Sequence, residues 1–218
     1  MSYEVILFDM DGVLLRGAET SADVYRKAAR EALRESGIDP LESNSDAVEQ
    51  FHYTDKMRST CEELGVDVAK FWKRREHHAA RLENEQIREG EREPYDDIKT
   101  LKELSQSHRL GIVSNNRQST VEEVVSVCNL EFVDPVVGRD HKLSGYYDRK
   151  PAPTLLMEAT QSLGTEDAIY VGDSEKDVIA AHRAGLDSAF LRRSHNSHID
   201  IEAPPTVEIE TLNQLRCI

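Results

Sequence analysis

Residues 4–12 read Glu-Val-Ile-Leu-Phe-Asp-Met-Asp-Gly, a short apolar run that stops at two aspartates and a glycine. A continuous apolar run of this length is typical of a strand that is buried on both faces of a sheet. Ligands of such parallel sheets lie beyond the carboxyl ends of the strands. We therefore predict a central strand that ends at about Asp9 and places Asp9 and Asp11 at the ligand-binding edge.

Downstream of Pro94 the sequence alternates between strand and helix patterns. Apolar runs predict strands at residues 110–113, 132–137, 168–171, 188–191 and 206–209. Apolar side chains at helical spacing predict helices between them, including residues 153–163 and 175–184. This alternation predicts a doubly wound α/β fold with a parallel sheet.

The stretch between these two parts has a helical pattern instead. Ser21 is a candidate N-cap for a first helix, and a second helix carries Phe71 and Trp72 on its apolar face, with charged residues expected on the opposite face. A chain of 218 residues, at about 150 residues per domain, has room for one full core and a smaller module. We predict an α/β core formed by residues 1–15 and 94–218, with residues 16–93 inserted as a helical domain.

The composition limits the classes of partner. The formal net charge is −14, which repels phosphate backbones and anionic lipid surfaces. We therefore expect no nucleic-acid or membrane partner. No apolar run approaches the roughly 20 residues that cross a bilayer, so we expect a cytoplasmic protein. We also expect a monomer or a weak homodimer. The three cysteines, which have no disulfide or zinc spacing, are expected to be small buried or free thiols. The excess of acids and the scarcity of lysine fit either a salt-adapted, possibly halophilic, protein or an ordinary acidic enzyme.

Polar residues follow three of the predicted strands. They are Asp9 and Asp11, then Ser114 and Asn115, then Asp173 and Asp177, with Lys150 in a later connection. Each group by itself also has a structural interpretation: a turn, a helix cap or a solvated lysine. Because the carboxyl ends of parallel strands share one edge, we expect all three groups to converge there.

Electrostatics distinguishes a functional site from the structural interpretation of these residues. Two carboxylates 4 Å apart repel by about 4 kcal/mol at an effective dielectric constant of 20, so a cluster of four acids requires a cation. Carboxylate oxygens without histidine or thiol ligands favour Mg²⁺, which also binds phosphate oxygens. With a lysine and hydroxyl and backbone donors nearby, the predicted site suits a phosphate dianion.

The order of these motifs, Asp-x-Asp-Gly, Ser-Asn, Lys-Pro and Gly-Asp-Ser-x-x-Asp, resembles that of the haloacid dehalogenase-like hydrolases. Phe-Asp-Met-Asp-Gly-Val and Lys-Pro-Ala-Pro are similar to the phosphoglycolate phosphatase and β-phosphoglucomutase branch. The resemblance spans residues 4–191 and implies a Rossmann-like core with a small inserted helical cap domain. It also implies a phosphoric monoester hydrolase that acts on a small phosphorylated metabolite.

Residue by residue, the resemblance implies Asp9 as the nucleophile that forms an aspartyl-phosphate. Asp11 would protonate the leaving alcohol and then activate water. Mg²⁺ would be held by the carboxylates of Asp9 and Asp173 and the backbone carbonyl of Asp11. Asp177 would orient a metal-bound water or the lysine.

The same resemblance assigns the phosphate contacts. Ser114 and Asn115 would bind the transferring phosphoryl group, and Lys150 would offset the charge on its oxygens. In the cap, Arg16, His52, Lys56 and Arg58 are candidates for binding an anionic leaving group, although a solvated or structural role fits them better.

Three functions remain open on these residues. The first is a Mg²⁺-dependent phosphatase, and the second is a phosphosugar mutase that uses the same aspartyl-phosphate. The third is a phosphoryl-binding protein without turnover. A dehalogenase is disfavoured, because displacement at carbon requires neither Asp11 nor a metal.

Overall fold

A six-stranded parallel sheet forms the centre of the molecule in the computed structural model, which describes residues 3–17, 20–41 and 46–217. The strand order is β3-β2-β1-β4-β5-β6. The strands are β1 (Val5–Phe8), β2 (Arg109–Arg117), β3 (Val136–Arg139), β4 (Ala168–Gly172), β5 (Asp187–Leu191) and β6 (Val207–Ile209). The doubly wound parallel sheet predicted from the sequence is confirmed.

Strand β1 lies in the middle of the sheet, and all four of its residues are buried. Phe8 is in register with Ile112 of β2 on one side and with Val171 of β4 on the other. The strands that follow β1 in the chain therefore flank it on opposite sides, which makes its carboxyl end the switch point where ligands bind in open α/β sheets.

Helices cover both faces of this sheet. They are α4 (Thr100–Leu104), α5 (Gln118–Val127), α6 (Leu143–Tyr147), α7 (Thr154–Leu163) and α8 (Glu175–Arg183), with short 3₁₀ helices at Asp96–Lys99 and Leu212–Cys217. Ile6 and Phe8 belong to the apolar cluster on one face, and Val5 and Leu7 belong to the cluster on the other. Because both faces of β1 are buried, all of its side chains are apolar and its sequence is a continuous apolar run.

Three helices lie between β1 and the rest of the sheet: α1 (Ala22–Arg34), α2 (Asp55–Glu63) and α3 (Val68–Arg88). The Ser21 side chain accepts a hydrogen bond from the Val24 N–H and caps α1, as predicted. Phe71 and Trp72 lie in an apolar cluster of these helices, separate from the clusters of the sheet. The residues described within 16–93 include no strand, and α2 was not predicted.

The chain enters and leaves this helical segment at one place. The Arg16 N–H donates to the Glu93 carbonyl over 2.8 Å, and the Tyr95 N–H donates to the Leu14 carbonyl over 2.9 Å. These bonds lie at the predicted boundaries of the inserted domain. The division into a core and a cap domain itself stays a prediction.

Two strands differ from their predicted bounds. Strand β2 runs on to Arg117 through an irregular register beyond Val113, where a loop was expected. Strand β3 begins at Val136 instead of residue 132, since Pro135 has no N–H to donate to a ladder. No helix within the described residues is long and apolar enough to cross a membrane.

Helix α3 also differs from its predicted pattern. Charged residues were expected on its outer face, but Arg75, Glu76 and Glu83 are almost completely buried. The two glutamates pair with arginines at the ends of β2 and β3, and Arg75 pairs with Glu76, as described below.

Candidate active site

The residues predicted for the site meet at the carboxyl ends of β1, β2 and β4. A cavity of about 250 Å³ at this edge is lined, among others, by Asp9, Asp11, Ser114, Asn115 and Asp173. Lys150 and Asp177 lie beneath it, in contact with Asp9 or with each other. The convergence expected from the strand ends is what the structure shows.

Three carboxylates form an acidic cluster. One oxygen from each of Asp9, Asp173 and Asp177 lies within 4.8 Å of the others. Burial and the charges of Asp9 and Asp177 raise the pKa of Asp173 to about 8. Burial likewise raises the pKa of Asp9 to about 6, against the opposing effect of Lys150. A divalent cation would relieve this repulsion, and hard oxygen donors of this kind fit Mg²⁺.

Lys150 is buried between two members of this cluster. Its Nζ lies 2.9 Å from Asp9 Oδ1 and 2.8 Å from Asp177 Oδ1, and it also donates to the Tyr170 hydroxyl. Burial alone would lower the pKa of Lys150, but the carboxylates of Asp177 and Asp9 raise it well above its usual value. Lys150 is therefore a fixed positive charge inside the site and not a solvated surface lysine.

Ser114 and Asn115 lie in the last part of β2. The Ser114 Oγ is buried and accepts a hydrogen bond from the Asn116 N–H over 3.1 Å. The Asn115 side chain binds the Lys150 backbone twice, accepting from its N–H over 2.7 Å and donating to its carbonyl over 3.1 Å. The Asn115 amide thus positions Lys150, and its predicted contact with a phosphoryl group stays a prediction.

The Asp11 carboxylate points away from the acidic cluster. Its Oδ1 lies 2.6 Å from Arg92 Nη2, and its Oδ2 accepts from Asn116 Nδ2 over 3.3 Å. Arg92 and Asn116 both also bind Glu83 Oε1, at 2.8 Å and 3.0 Å. Burial raises the pKa of Asp11, and Arg92 opposes that rise. The sequence analysis assigned no role in the site to Arg92, Asn116 or Glu83.

Asp173 has two partners that the sequence analysis missed. His195 Nε2 lies 2.6 Å from Asp173 Oδ2, and Asn196 Nδ2 donates to the Asp173 carbonyl over 2.7 Å. Burial lowers the pKa of His195. Both residues belong to a polar segment to which the sequence analysis assigned no role. Its position directly after β5, at the same edge of the sheet, was the available signal.

Glycine is required at two positions of the site. Gly12 has a φ of +77°, and a Cβ there would lie 1.9 Å from Asp173 Oδ2. A Cβ on Gly172 would lie 2.2 Å from the Asp177 Cβ. The absence of side chains at these positions lets the ends of β1 and β4 bring their aspartates together.

A buried ion network lies beside the cavity and joins α3 to the sheet. Glu76 pairs with Arg75, with Arg117 at 2.9 Å and with Arg139. Glu83 pairs with Arg117 at 3.1 Å and accepts from the Thr20 hydroxyl over 2.7 Å. Through Glu83 and Arg92, this network reaches the carboxylate of Asp11.

The predicted cap contacts lie elsewhere. Arg16 stacks over the Tyr95 ring, His52 contacts the Tyr146 hydroxyl, Arg58 pairs with Asp55, and Lys56 is exposed. None of these four candidates lines the cavity. Its wall beyond the carboxylates is formed instead by residues that include Thr20, Tyr25, Phe51 and Arg149.

Comparison with known proteins gives a consistent result. The family model described as haloacid dehalogenase-like hydrolase matches residues 6–191. The chain is 31% identical to a phosphoglycolate phosphatase of Aquifex aeolicus over 85% of this chain and 83% of that protein. It is 30% identical to one of Vibrio vulnificus, covering 97% of this chain and 94% of that protein. The fold is similar to that of CbbY from Rhodobacter sphaeroides, solved in complex with phosphate, with a TM-score of 0.63, 18% identity and coverage of 96% and 95%.

Proposed function

Because the chain belongs to the haloacid dehalogenase-like hydrolases and is a phosphatase of that family, we propose that it hydrolyses a small phosphate monoester with the help of Mg²⁺. The reaction passes through an aspartyl-phosphate on Asp9. The observation that carries this proposal is the acidic cluster of Asp9, Asp173 and Asp177, with Lys150 between two of its members, at the edge of the cavity.

Asp9 is the proposed nucleophile. Its Oδ1 accepts from the Met10 N–H over 2.8 Å and from Lys150, and these two contacts fix the orientation of the carboxylate. In the first step an Asp9 oxygen bonds to phosphorus, and the bond between phosphorus and the alcohol oxygen breaks. Lys150 and Ser114 stabilise the phosphoryl oxygens as charge shifts onto them.

Asp11 moves the protons in both steps. It donates a proton to the leaving alcohol and later takes one from the water that attacks the aspartyl-phosphate, which releases inorganic phosphate and restores Asp9. Burial raises the pKa of Asp11 toward the range useful for this exchange, and Arg92 limits the rise. Arg92 and Asn116 also fix the direction of the carboxylate.

The proposed metal ligands are the carboxylates of Asp9 and Asp173 and the backbone carbonyl of Asp11. Mg²⁺, when bound, would neutralise the acidic cluster and the phosphoryl oxygens. Asp177 keeps Lys150 in place, because its Oδ1 faces the lysine and its Oδ2 accepts from the Ser174 N–H over 3.0 Å. The contact of Asp173 with His195 orients a third carboxylate in the same way.

Asp9→Asn tests the proposal directly. The variant should fold normally and lose hydrolysis of p-nitrophenyl phosphate, measured as p-nitrophenol release, because the amide is a poor nucleophile. Asp96→Asn, which changes an exposed aspartate, is the matched control and should behave like the wild type. EDTA should silence the wild type, and Mg²⁺ should restore it. Substantial turnover by Asp9→Asn would reject the nucleophile.

The nature of the ester is also a matter for experiment. The named relatives suggest 2-phosphoglycolate as the first compound to test. Release of inorganic phosphate without a bisphosphate activator would support hydrolysis, whereas dependence on such an activator would support the mutase alternative. A cytoplasmic location, a monomer or weak homodimer, and the lack of nucleic-acid or membrane partners stay predictions.

A further inference from the structure

Arg149 occupies the wall of the cavity without an assigned role. It directly precedes Lys150, whose Nζ contacts Asp9, and it lines the same cavity as Asp9, Asp11 and Ser114. A monoester with its phosphoryl group at Asp9 would place its remaining atoms in that cavity. Arg149 is therefore located where the leaving group of a substrate lies.

The guanidinium of Arg149 has no partner carboxylate among residues 3–17, 20–41 and 46–217. Every other half-buried arginine in these ranges makes an ion pair. Burial lowers the pKa of Arg149, and the nearby charge of Arg139 lowers it further. The other cavity-lining cation beside it, Lys176, acts on the acidic cluster, where it lowers the pKa values of Asp173 and Asp177.

The contacts of Arg149 fix the plane of its guanidinium. The group stacks 3.8 Å from the centroid of the Tyr146 ring and 5.1 Å from that of the Phe51 ring. Its Nε donates to the Tyr146 carbonyl over 3.0 Å. The described part of the chain offers no hydrogen-bond partner to either Nη group. Two parallel N–H donors held in one plane match a carboxylate or a phosphate group.

We propose that Arg149 binds a second anionic group on the substrate, so that the preferred esters carry a carboxylate or a second phosphate close to the phosphoryl group that is removed. This inference rests on the proposed function and adds to it the residue that selects the leaving group. Phe51 and Tyr146 hold the guanidinium of Arg149 in place. The second anion of the substrate neutralises its positive charge.

Three esters of matched length test the inference. They are 2-phosphoglycolate, ethylene glycol bisphosphate and 2-hydroxyethyl phosphate, which end in a carboxylate, a phosphate and a neutral hydroxyl. The measured quantity is the ratio of kcat/KM for each anionic ester to kcat/KM for the neutral one. In the wild type at least one ratio should be on the order of 10 to 100, as a charge-assisted pair of hydrogen bonds provides. The larger of the two ratios tells a carboxylate from a phosphate.

Two variants locate the effect at Arg149. Arg149→Met should lower the ratio about tenfold or more, mainly through KM, and Arg149→Lys should retain part of it. Arg216→Met, which removes an exposed arginine paired with Glu103, should leave the ratio unchanged. Melting temperatures of all variants show whether the fold is intact.

The outcomes separate the two proposals. Asp9-dependent phosphate release without any anionic preference in the wild type would overturn the role of Arg149 and leave the proposed function standing. Equal losses on all three esters in Arg149→Met would also overturn it, because a structural role predicts them. No Asp9-dependent release from any phosphate ester would overturn both.

Discussion

The acidic cluster and the buried ion network both consist largely of buried charged groups, but they differ in charge balance. In the cluster, three carboxylates lie close together, and two of them contact the buried ammonium group of Lys150. In the network, Glu76 is surrounded by three guanidinium groups, and Glu83 and Asp11 bind Arg92. Burial alone would raise the pKa of Glu76, yet Arg117, Arg139 and Arg75 hold it far below its usual value, whereas the pKa of Asp173 rises to about 8.

Burial of an acid is therefore not what marks a functional group here. The network neutralises its carboxylates with groups of the chain itself, which makes it part of the structure. The cluster keeps an excess of negative charge, which an external cation would neutralise. The two regions should accordingly respond in opposite ways when one carboxylate is replaced by an amide.

The largest contrast is expected for Asp173→Asn. Loss of this proposed metal ligand should lower kcat/KM by roughly four orders of magnitude, which corresponds to about 5.5 kcal/mol. The melting temperature in EDTA should stay the same or rise, since the change removes repulsion from Asp9 and Asp177. Phosphate release and thermal unfolding measure the two effects. A marked fall in melting temperature would show that the cluster supports the fold as the network does.

Glu76→Gln should show the reverse pattern. It leaves three buried guanidinium groups without their common anion, which should cost about 3–5 kcal/mol of unfolding free energy. For a chain of this size, that lowers the melting temperature by roughly 6–20 °C. Glu85→Gln, on the same helix but in a half-exposed pair with Arg81, is the control and should shift it by less than about 3 °C. Similar shifts in melting temperature in both variants would show that the network stabilises the fold no more than an exposed ion pair does.

The response to Mg²⁺ should depend on pH. The raised pKa values of Asp9 and Asp173, about 6 and about 8, mean that these carboxyls stabilise the metal-free fold at low pH and cease to do so as the pH rises through those values. Mg²⁺ competes with the same protons. At 100 times its Kd it should add about 2.7 kcal/mol at pH 8.5 and clearly less at pH 5.5. An equal gain in melting temperature at both pH values would contradict this linkage.

The smallest effect should come from Arg92, where the two regions meet. Arg92→Met removes a partner of Asp11 and Glu83, and should lower kcat about tenfold with little change in KM. Because Arg92 opposes the rise in the pKa of Asp11, its loss should also shift the Asp11 limb of the pH–rate profile to higher pH. Arg92→Lys should restore part of both. An unchanged pH profile would show that Arg92 acts only on the fold.

The sequence predicts the sheet and the cluster because both depend on local patterns. Asp9, Ser114 and Asp173 each follow an apolar strand directly. The parallel strands alone therefore place them at one edge of the sheet, independently of contacts made by the rest of the chain. Arg92, Glu83 and Arg149 have no such signal, since their partners come from distant segments. The hydrophobic pattern of α3 is misleading as well, because buried ion pairs let charged residues such as Glu76 face inward.

Glu83 connects the helical segment to the residues at the carboxyl edge of the sheet. One residue of α3 holds Arg92 and Asn116, the two groups that set the direction of Asp11. A chimera in which residues 16–93 are exchanged for those of a relative therefore changes the surroundings of the proposed proton-transfer group, Asp11, together with the cavity wall. Grafts that carry over Glu83 and Arg92 should keep turnover while specificity changes.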